Sequence, residues 1–221
     1  MNRFFSVTVI LLAMSVGAYS QVGAPSYGQT VNGKYRQHTG FYLSMSAGPV
    51  FGKISTDVIS PNPGLVEFSG GSGAKFDLKI GGAVKENLIL HGTIISSTLN
   101  GPVVKVGNQA GKASDNLTVG ETMIGGGLTY YIMPSNIFLS GSAGIGRFTL
   151  LDTKDDTVNG STDNGFSMQL KAGKEWWIGK RWGLGIALTY GKTVVHHGPY
   201  DGVEEKSNSN RFGILFNATF N

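Results

Sequence analysis

The chain has 221 residues, of which 34 are Gly and none is Cys, and only 14% are Asp, Glu, Lys or Arg. The absence of Cys excludes a structural disulfide, a thiol nucleophile and a thiolate metal site. A hydrophobic fraction of 40% is too low for a bundle of membrane helices and too high for a disordered chain. The net charge of +4 is small and scattered, so it gives no reason to expect nucleic-acid binding.

The start of the chain has the pattern of a secretory signal peptide. Residues 1–3 carry a positive charge, residues 4–16 are almost entirely apolar, and residues 18–20 supply small residues for cleavage. The apolar run is too short for a membrane-spanning helix, which needs about 20 residues. We therefore predict a signal peptide over residues 1–20. Residues 21–39 show no strand pattern and are predicted to form a periplasmic N-terminal tail.

From residue 40 onward, apolar residues alternate with small or polar ones, which is the period of a β-strand. In the third apolar run, Ile89 and Ile95 break this alternation. Each run has about ten residues, enough to cross a bilayer when the strand is tilted. The sequence therefore predicts eight strands, whose apolar faces begin at Phe41, Phe76, Leu88, Ile124, Ile137, Phe166, Leu184 and Phe212.

The connections between these strands alternate between short turns and long polar stretches near residues 53–73, 98–116, 150–164 and 194–209. Transmembrane barrels show this asymmetry, with short periplasmic turns and long outer loops, whereas a soluble sandwich gives no reason for it. Aromatic residues beside the short turns have the position of an interfacial girdle. These girdle candidates are Tyr130, Tyr131, Trp176, Trp177 and Trp182.

This pattern resembles the small eight-stranded outer-membrane barrels of the OmpA, OmpX and OmpW kind. The resemblance covers residues 40–221 and includes the last strand, residues 212–220, which alternates and ends in Phe220. In that family such a strand is the signal for the outer-membrane assembly machinery; here Asn221 follows it. The resemblance implies an all-β, antiparallel, up-and-down transmembrane β-barrel that is monomeric, contacts membrane lipid and lies in a Gram-negative outer membrane.

The polar face of each strand must point into the barrel, and an eight-stranded barrel is filled by side chains rather than open. Arg147 and Lys174 fall on the apolar phase instead. Each is near a strand end and can extend its charge to the interface, or a β-bulge changes the phase at Arg147. Three acids and three bases fall on the inner face and predict a buried, charge-balanced network: Asp77, Lys79, Glu121, Lys171, Glu175 and Arg211.

Some barrels of this size modify lipids with a His and a Ser or an acid. His91 is the only His in a predicted strand, but it lies low in the barrel, far from the outer leaflet. We therefore expect no catalytic, metal or cofactor site. The last long loop contains the best candidates for contact with a partner: His196, His197, Tyr200, Asp201, Glu204 and Glu205.

Three functions stay open at this point. The first is a structural or surface-interaction role through the outer loops, with an extracellular partner and without an open pore. The second is a narrow channel or a conduit for small hydrophobic solutes, and the third is a lipid-modifying enzyme. The first is favoured because the loops contain far more residues than a narrow lumen could devote to transport.

Overall fold

Nearly all of the chain that the computed structural model describes is in β-strands. The predicted signal peptide at residues 1–20 lies outside the described part, and so does most of the predicted tail at residues 21–39. Within the described residues, no helix is long and apolar enough to cross a membrane. The described residues are 30–31, 34–58, 64–114, 116–152, 154, 157–200 and 203–221.

Eight long strands form one closed antiparallel barrel, as the sequence predicts. Each strand pairs with the next one along the chain, and the last strand pairs with the first, so the barrel wall has no free edge. The strands are β1 (Phe41–Val58), β2 (Ser72–Lys85), β3 (Leu88–Asn100), β4 (Leu117–Ile132), β5 (Ile137–Asp152), β6 (Gly165–Trp177), β7 (Trp182–Tyr200) and β8 (Val203–Phe220).

The two ends of the barrel differ in height. At one end, here called the turn end, short turns join β2 to β3, β4 to β5 and β6 to β7. The first strand, β1, begins at this end, and the last strand, β8, ends there. At the other end, here called the hairpin end, the strands continue well beyond the apolar belt; β7 alone has 19 residues. Four shorter strands lengthen this end: Gly64–Ser69 pairs with β1, Val103–Val106 with Gly64–Ser69, Gln109–Lys112 with Val103–Val106, and Thr157–Ser161 with β5.

The long polar connections that the sequence predicts at the hairpin end are largely extended strand rather than irregular loop. Much of these stretches is paired strand: His196, for example, pairs with Lys206, and Ser207 pairs with Thr56. Backbone hydrogen bonds form a strand ladder whatever the side chains are. Outside lipid no face has to be apolar, so the period-two pattern disappears while the strands continue. The predicted tail also contains two short paired strands, Thr30–Val31 and Lys34–Tyr35.

The outer surface of the barrel carries a continuous set of exposed apolar side chains on every strand. Ile89 and Ile95, which break the predicted alternation, are buried in the lumen. The side chains of β3 therefore alternate regularly between the two faces, but its inner face contains both apolar and polar residues. The ladder between β4 and β5 runs without a register shift past Arg147, which excludes a bulge on that side of β5. Arg147 is exposed on the outer face, and Lys174 Nζ lies 5.7 Å from the ring centre of Trp176.

Close backbone contact explains part of the high Gly content. Gly125 of β4 pairs with Gly144 of β5, and a Cβ atom at Gly125 would lie 2.1 Å from the carbonyl oxygen of Ala143. Such a distance is far shorter than van der Waals contact, so a larger residue would have to displace backbone. The Gly-rich run at residues 141–146 thus belongs to a tightly curved wall, inside β5.

We expect the height of a new charge on the outer surface to decide its effect. Leu188 is 63% exposed in the middle of the apolar belt, and Leu188→Arg should reduce the free energy of unfolding by about 2–4 kcal/mol. Leu65, 45% exposed at the hairpin end, is the matched control, and Leu65→Arg should change it by no more than about 0.5 kcal/mol. Urea unfolding in lipid vesicles measures both values. Equal effects at the two positions would contradict the placement of the belt.

Candidate functional site

The lumen of the barrel is filled in three layers. Polar and charged side chains occupy the middle, and a compact cluster of buried apolar side chains lies at each end. The cluster at the turn end consists of Tyr42, Ile89, Tyr131, Phe138 and Ala187. The cluster at the hairpin end consists of Ile54, Leu99, Val119, Phe148 and Val195.

Asp77 is the centre of the lower half of the polar layer. Its carboxylate lies 3.3 Å from Lys171 Nζ and 3.7 Å from Lys79 Nζ, and it accepts a hydrogen bond from Gln169 Nε2 at 2.9 Å. Lys79 Nζ also donates to Ser140 Oγ at 2.7 Å. One buried carboxylate is therefore shared by two buried ammonium groups, so this group has one more cation than anion.

Asn217 connects this group to Glu175 near the turn end. Its Oδ1 atom accepts from Lys171 Nζ at 2.7 Å, and its Nδ2 atom donates to Glu175 Oε1. Glu175 also accepts from Thr219 Oγ1 at 2.7 Å and from Tyr131 Oη at 3.2 Å. The polar network therefore crosses the lumen from β2 through β6 to β8 without interruption.

A second ion pair occupies the upper half of the polar layer. Arg211 Nε lies 2.7 Å from Glu121 Oε2, and Glu121 Oε1 accepts from Thr193 and Ser209. Lys75 is buried beside this pair, although the sequence analysis did not include it. The buried charges of the described lumen are thus four cations and three anions, not the three of each that we predicted. The period-two pattern places Lys75 on the inner face and was sufficient to find it.

The segment before β1 closes the turn end. His38 is completely buried there: its ring stacks on Tyr131 with 3.5 Å between the centroids, and Nε2 lies 2.8 Å from Asn136 Oδ1. Its Nδ1 atom lies 2.7 Å from Nδ2 of Asn221, the residue that follows the terminal Phe. These partners fit a neutral imidazole that donates from Nε2 and accepts at Nδ1. Burial lowers the pKa of His38 to about 4.

This closure corrects two members of the predicted girdle. Tyr131 is only 1% exposed and points into the lumen, and Trp177 stacks against His38 with 4.9 Å between the ring centroids. Each is next in sequence to an outward-facing aromatic residue, and neighbours in a strand face opposite sides. The exposed girdle candidates are Tyr130, Trp176 and Trp182.

The hairpin end has a cavity of about 230 Å³ above its apolar cluster. The loop candidates lie beside it: His197 and Glu205 line the cavity, whereas His196 and Glu204 are exposed. His197 Nδ1 lies 2.9 Å from a carboxylate oxygen of Asp163. Asp201 and the side chain of Tyr200 lie outside the described residues. The cavity itself was not predicted, because it is assembled from seven separate strands.

Within the described segments, no group of three or more His, Cys, Asp or Glu residues could hold a metal. His91 is buried low in the lumen, where Nε2 lies 3.1 Å from Thr129 Oγ1. It therefore does not face the outer leaflet.

No protein-family model and no curated protein matches the chain. Among solved structures, Neisserial surface protein A is similar with a TM-score of 0.51 and 11% identity over 84% of this chain and 99% of that one. OprG from Pseudomonas aeruginosa gives a TM-score of 0.46 and 13% identity over 83% and 97% of the two chains. AlkL, determined in lipid bilayers, gives 0.45 and 13% over 88% and 94%. The resemblance to small outer-membrane barrels is thus confirmed for the fold.

We predict that Asp77 is essential for the lower half of the network. Asp77→Asn keeps the shape but removes the charge that balances Lys79 and Lys171, so the free energy of unfolding should fall by about 3–5 kcal/mol. The control is the partly exposed pair Lys53–Glu67, 2.9 Å apart, where Glu67→Gln should change it by no more than about 1 kcal/mol. Denaturant unfolding in vesicles compares the two. A small effect at Asp77 would show that the buried pairing does not stabilise the barrel.

We also predict that acid weakens the closure at the turn end. The folded chain holds His38 neutral down to a pKa of about 4, whereas an unfolded His binds a proton near 6.5. The stabilisation is complete above pH 6.5 and is lost as the pH falls towards 4, by at most about 3 kcal/mol. Unfolding of the wild type at pH 7.5 and 4.5 measures the total change.

Other groups titrate over the same range, so the variants His38→Gln and His196→Gln isolate the contribution of one ring. His38→Gln should reduce the pH dependence, whereas the exposed His196→Gln should leave it unchanged. An identical pH dependence in all three proteins would exclude His38 as its source.

Proposed function

We propose that this chain is an integral outer-membrane barrel with a structural or surface-interaction role, carried by the hairpin end and without an open pore. The exposed apolar belt supports a membrane location, because a surface of that extent is not stable in water. The difference between the two ends supports the orientation, since short turns face the periplasm and long hairpins face outward. Export requires that the predicted signal at residues 1–20 is cleaved.

The filled lumen is the main observation that supports a barrel without an open pore. The two apolar clusters lie above and below a polar layer whose side chains are bound to one another. Between Lys75, Glu121 and Gln169 there is a cavity of about 10 Å³, which has room for one water molecule. A solute would have to break buried ion pairs and displace both clusters, so this arrangement favours a plug rather than a channel.

Unlike the filled lumen, the hairpin end has an exposed surface that is formed by several strands. The sheet of Gly64–Ser69, Val103–Val106 and Gln109–Lys112 extends from β1, and the last of these strands is exposed along its whole length. The hairpin of β7 and β8 extends beside it. Such projecting segments on a rigid scaffold are where binding residues are usually found.

The other functions have less support. A conduit for hydrophobic solutes needs a path from the cavity at the hairpin end into lipid or through the lumen, and the apolar cluster closes the second of these. For a lipid enzyme, His91 is in the wrong place, and we propose no catalytic residue. We further propose that the chain is a monomer and that the assembly machinery recognises its last strand, β8. Asn221, which follows β8, contacts His38 at the turn end and has no part in this recognition.

We expect that shortening the last hairpin separates folding from function. His196 and Lys206 pair across the ladder, so an Asn-Gly turn can replace residues 197–205. The barrel should keep its heat-dependent gel mobility and, within about 1 kcal/mol, its free energy of unfolding. Cells that display the shortened chain should aggregate less and attach less to cultured epithelial cells than cells that display the full chain.

Conductance of the full chain in planar lipid bilayers is the second measurement. Neither the full nor the shortened chain should produce current steps. Steps from the full chain would favour the channel, and full attachment by cells with the shortened chain would place the interaction elsewhere.

A further inference from the structure

The cavity at the hairpin end has an apolar floor and apolar sides. Its floor is formed by Ile54, Val119 and Phe148, which belong to the upper apolar cluster, and Phe68 and Leu150 cover the sides. At about 230 Å³ the cavity is larger than a 150 Å³ engineered cavity known to bind benzene.

The floor of the cavity is closed. Leu99 and Val195 complete the cluster beneath it and are fully buried, and the ion pair of Arg211 and Glu121 lies below them. A molecule that enters from outside therefore stops at this depth. The geometry is that of a pocket open at the hairpin end and closed towards the lumen, not of a path through the barrel.

The rim of the cavity is polar, and most of its groups are already paired. Thr56 Oγ1 and Ser207 Oγ are 2.8 Å apart, Thr162 Oγ1 donates to Asp163 O at 3.0 Å, and His197 pairs with Asp163. Glu205 differs: within the described residues its half-buried side chain has no hydrogen-bond or ion-pair partner. An acceptor at the entrance of an apolar cavity selects for a ligand that carries a donor.

We propose that this cavity binds a small, neutral, mainly apolar molecule of one or two fused rings that presents a single N–H or O–H donor to Glu205. Such a ligand buries its rings against Ile54, Val119 and Phe148 and leaves its donor at the rim. A carboxylate-bearing ligand is disfavoured, because Glu205 and Asp163 both carry negative charge at the entrance. The proposal deepens the proposed function and rests on it, since it places a small-molecule site within the projecting hairpin end.

Indole and benzofuran are suitable probes because they have the same shape and differ in the N–H donor. The full chain in lipid nanodiscs is titrated with each, and methyl NMR follows Ile54 and Val119 in the cavity and Leu170 and Leu188 on the lipid face. Indole should give saturable shifts at the cavity methyls and bind about tenfold more tightly than benzofuran, as expected for one hydrogen bond to a charged group. Indole-3-carboxylate should not bind.

Matched variants test the role assigned to the acceptor. Glu205→Leu should remove the preference for indole over benzofuran, whereas Glu204→Leu, at the exposed neighbouring position, should keep it. Leu150→Trp fills the cavity without changing Glu205 and should abolish saturable binding of both probes.

The outcomes separate this proposal from the proposed function. Shifts that do not saturate and are equal at cavity and lipid-facing methyls show partition into lipid only and overturn the pocket. Equal affinity for indole and benzofuran in the wild type overturns the role of Glu205. Either result leaves the conductance and attachment experiments unaffected, so a failure of the pocket is distinguishable from a failure of the surface role.

Discussion

The pairing of β8 with β1 is the interaction on which the rest of the structure depends. In a membrane every backbone N–H and C=O must find a partner within the protein, and a sheet satisfies all of them only when it closes. Closure with eight strands in turn fixes a narrow lumen. The inner side chains must fill that space, and the outer ones must face lipid. The composition follows from these demands: few charges, many apolar residues at alternate positions, and Gly where neighbouring strands come too close for a Cβ atom.

The charges in the lumen are placed where their desolvation is best offset. Asp77, Glu121 and Glu175 lie in the middle of the barrel, each against a cation or several donors, and apolar clusters cover them at both ends. A buried charge without a partner is strongly destabilising, and hydrogen bonds from Thr193, Ser209 and Thr219 support the buried carboxylates in addition to the ion pairs. The same dense set of bonded side chains makes the lumen unsuitable for transport. Stability and the proposed absence of a pore are two consequences of one arrangement.

Much of this fold follows from the period-two pattern, because lipid on one side and a narrow lumen on the other impose opposite chemistry on neighbouring residues. The pattern correctly predicts that Asp77 and Lys171 point into the lumen and that Leu188 points towards lipid. It is uninformative where the inner and outer faces of a strand do not differ in polarity. Tyr131 and Trp177 are as apolar as their outward neighbours, so their burial is decided by contact with His38, which is remote in sequence. At the hairpin end water replaces lipid, and paired strands there have the composition of loops.

The two ends of the barrel meet different requirements although both are closed by an apolar cluster. At the turn end, the segment before β1 and the last residue of the chain fill the remaining space, and His38 hydrogen-bonds to Asn136 and Asn221. At the hairpin end no segment of the described residues fills the space above the cluster, although the strands rise past it on several sides. If the hairpin end needed only to be closed, a segment of the chain could fill it in the way that the segment before β1 fills the turn end. On our proposal, the cavity beside Glu205 is occupied by a small molecule from outside rather than by a segment of the chain.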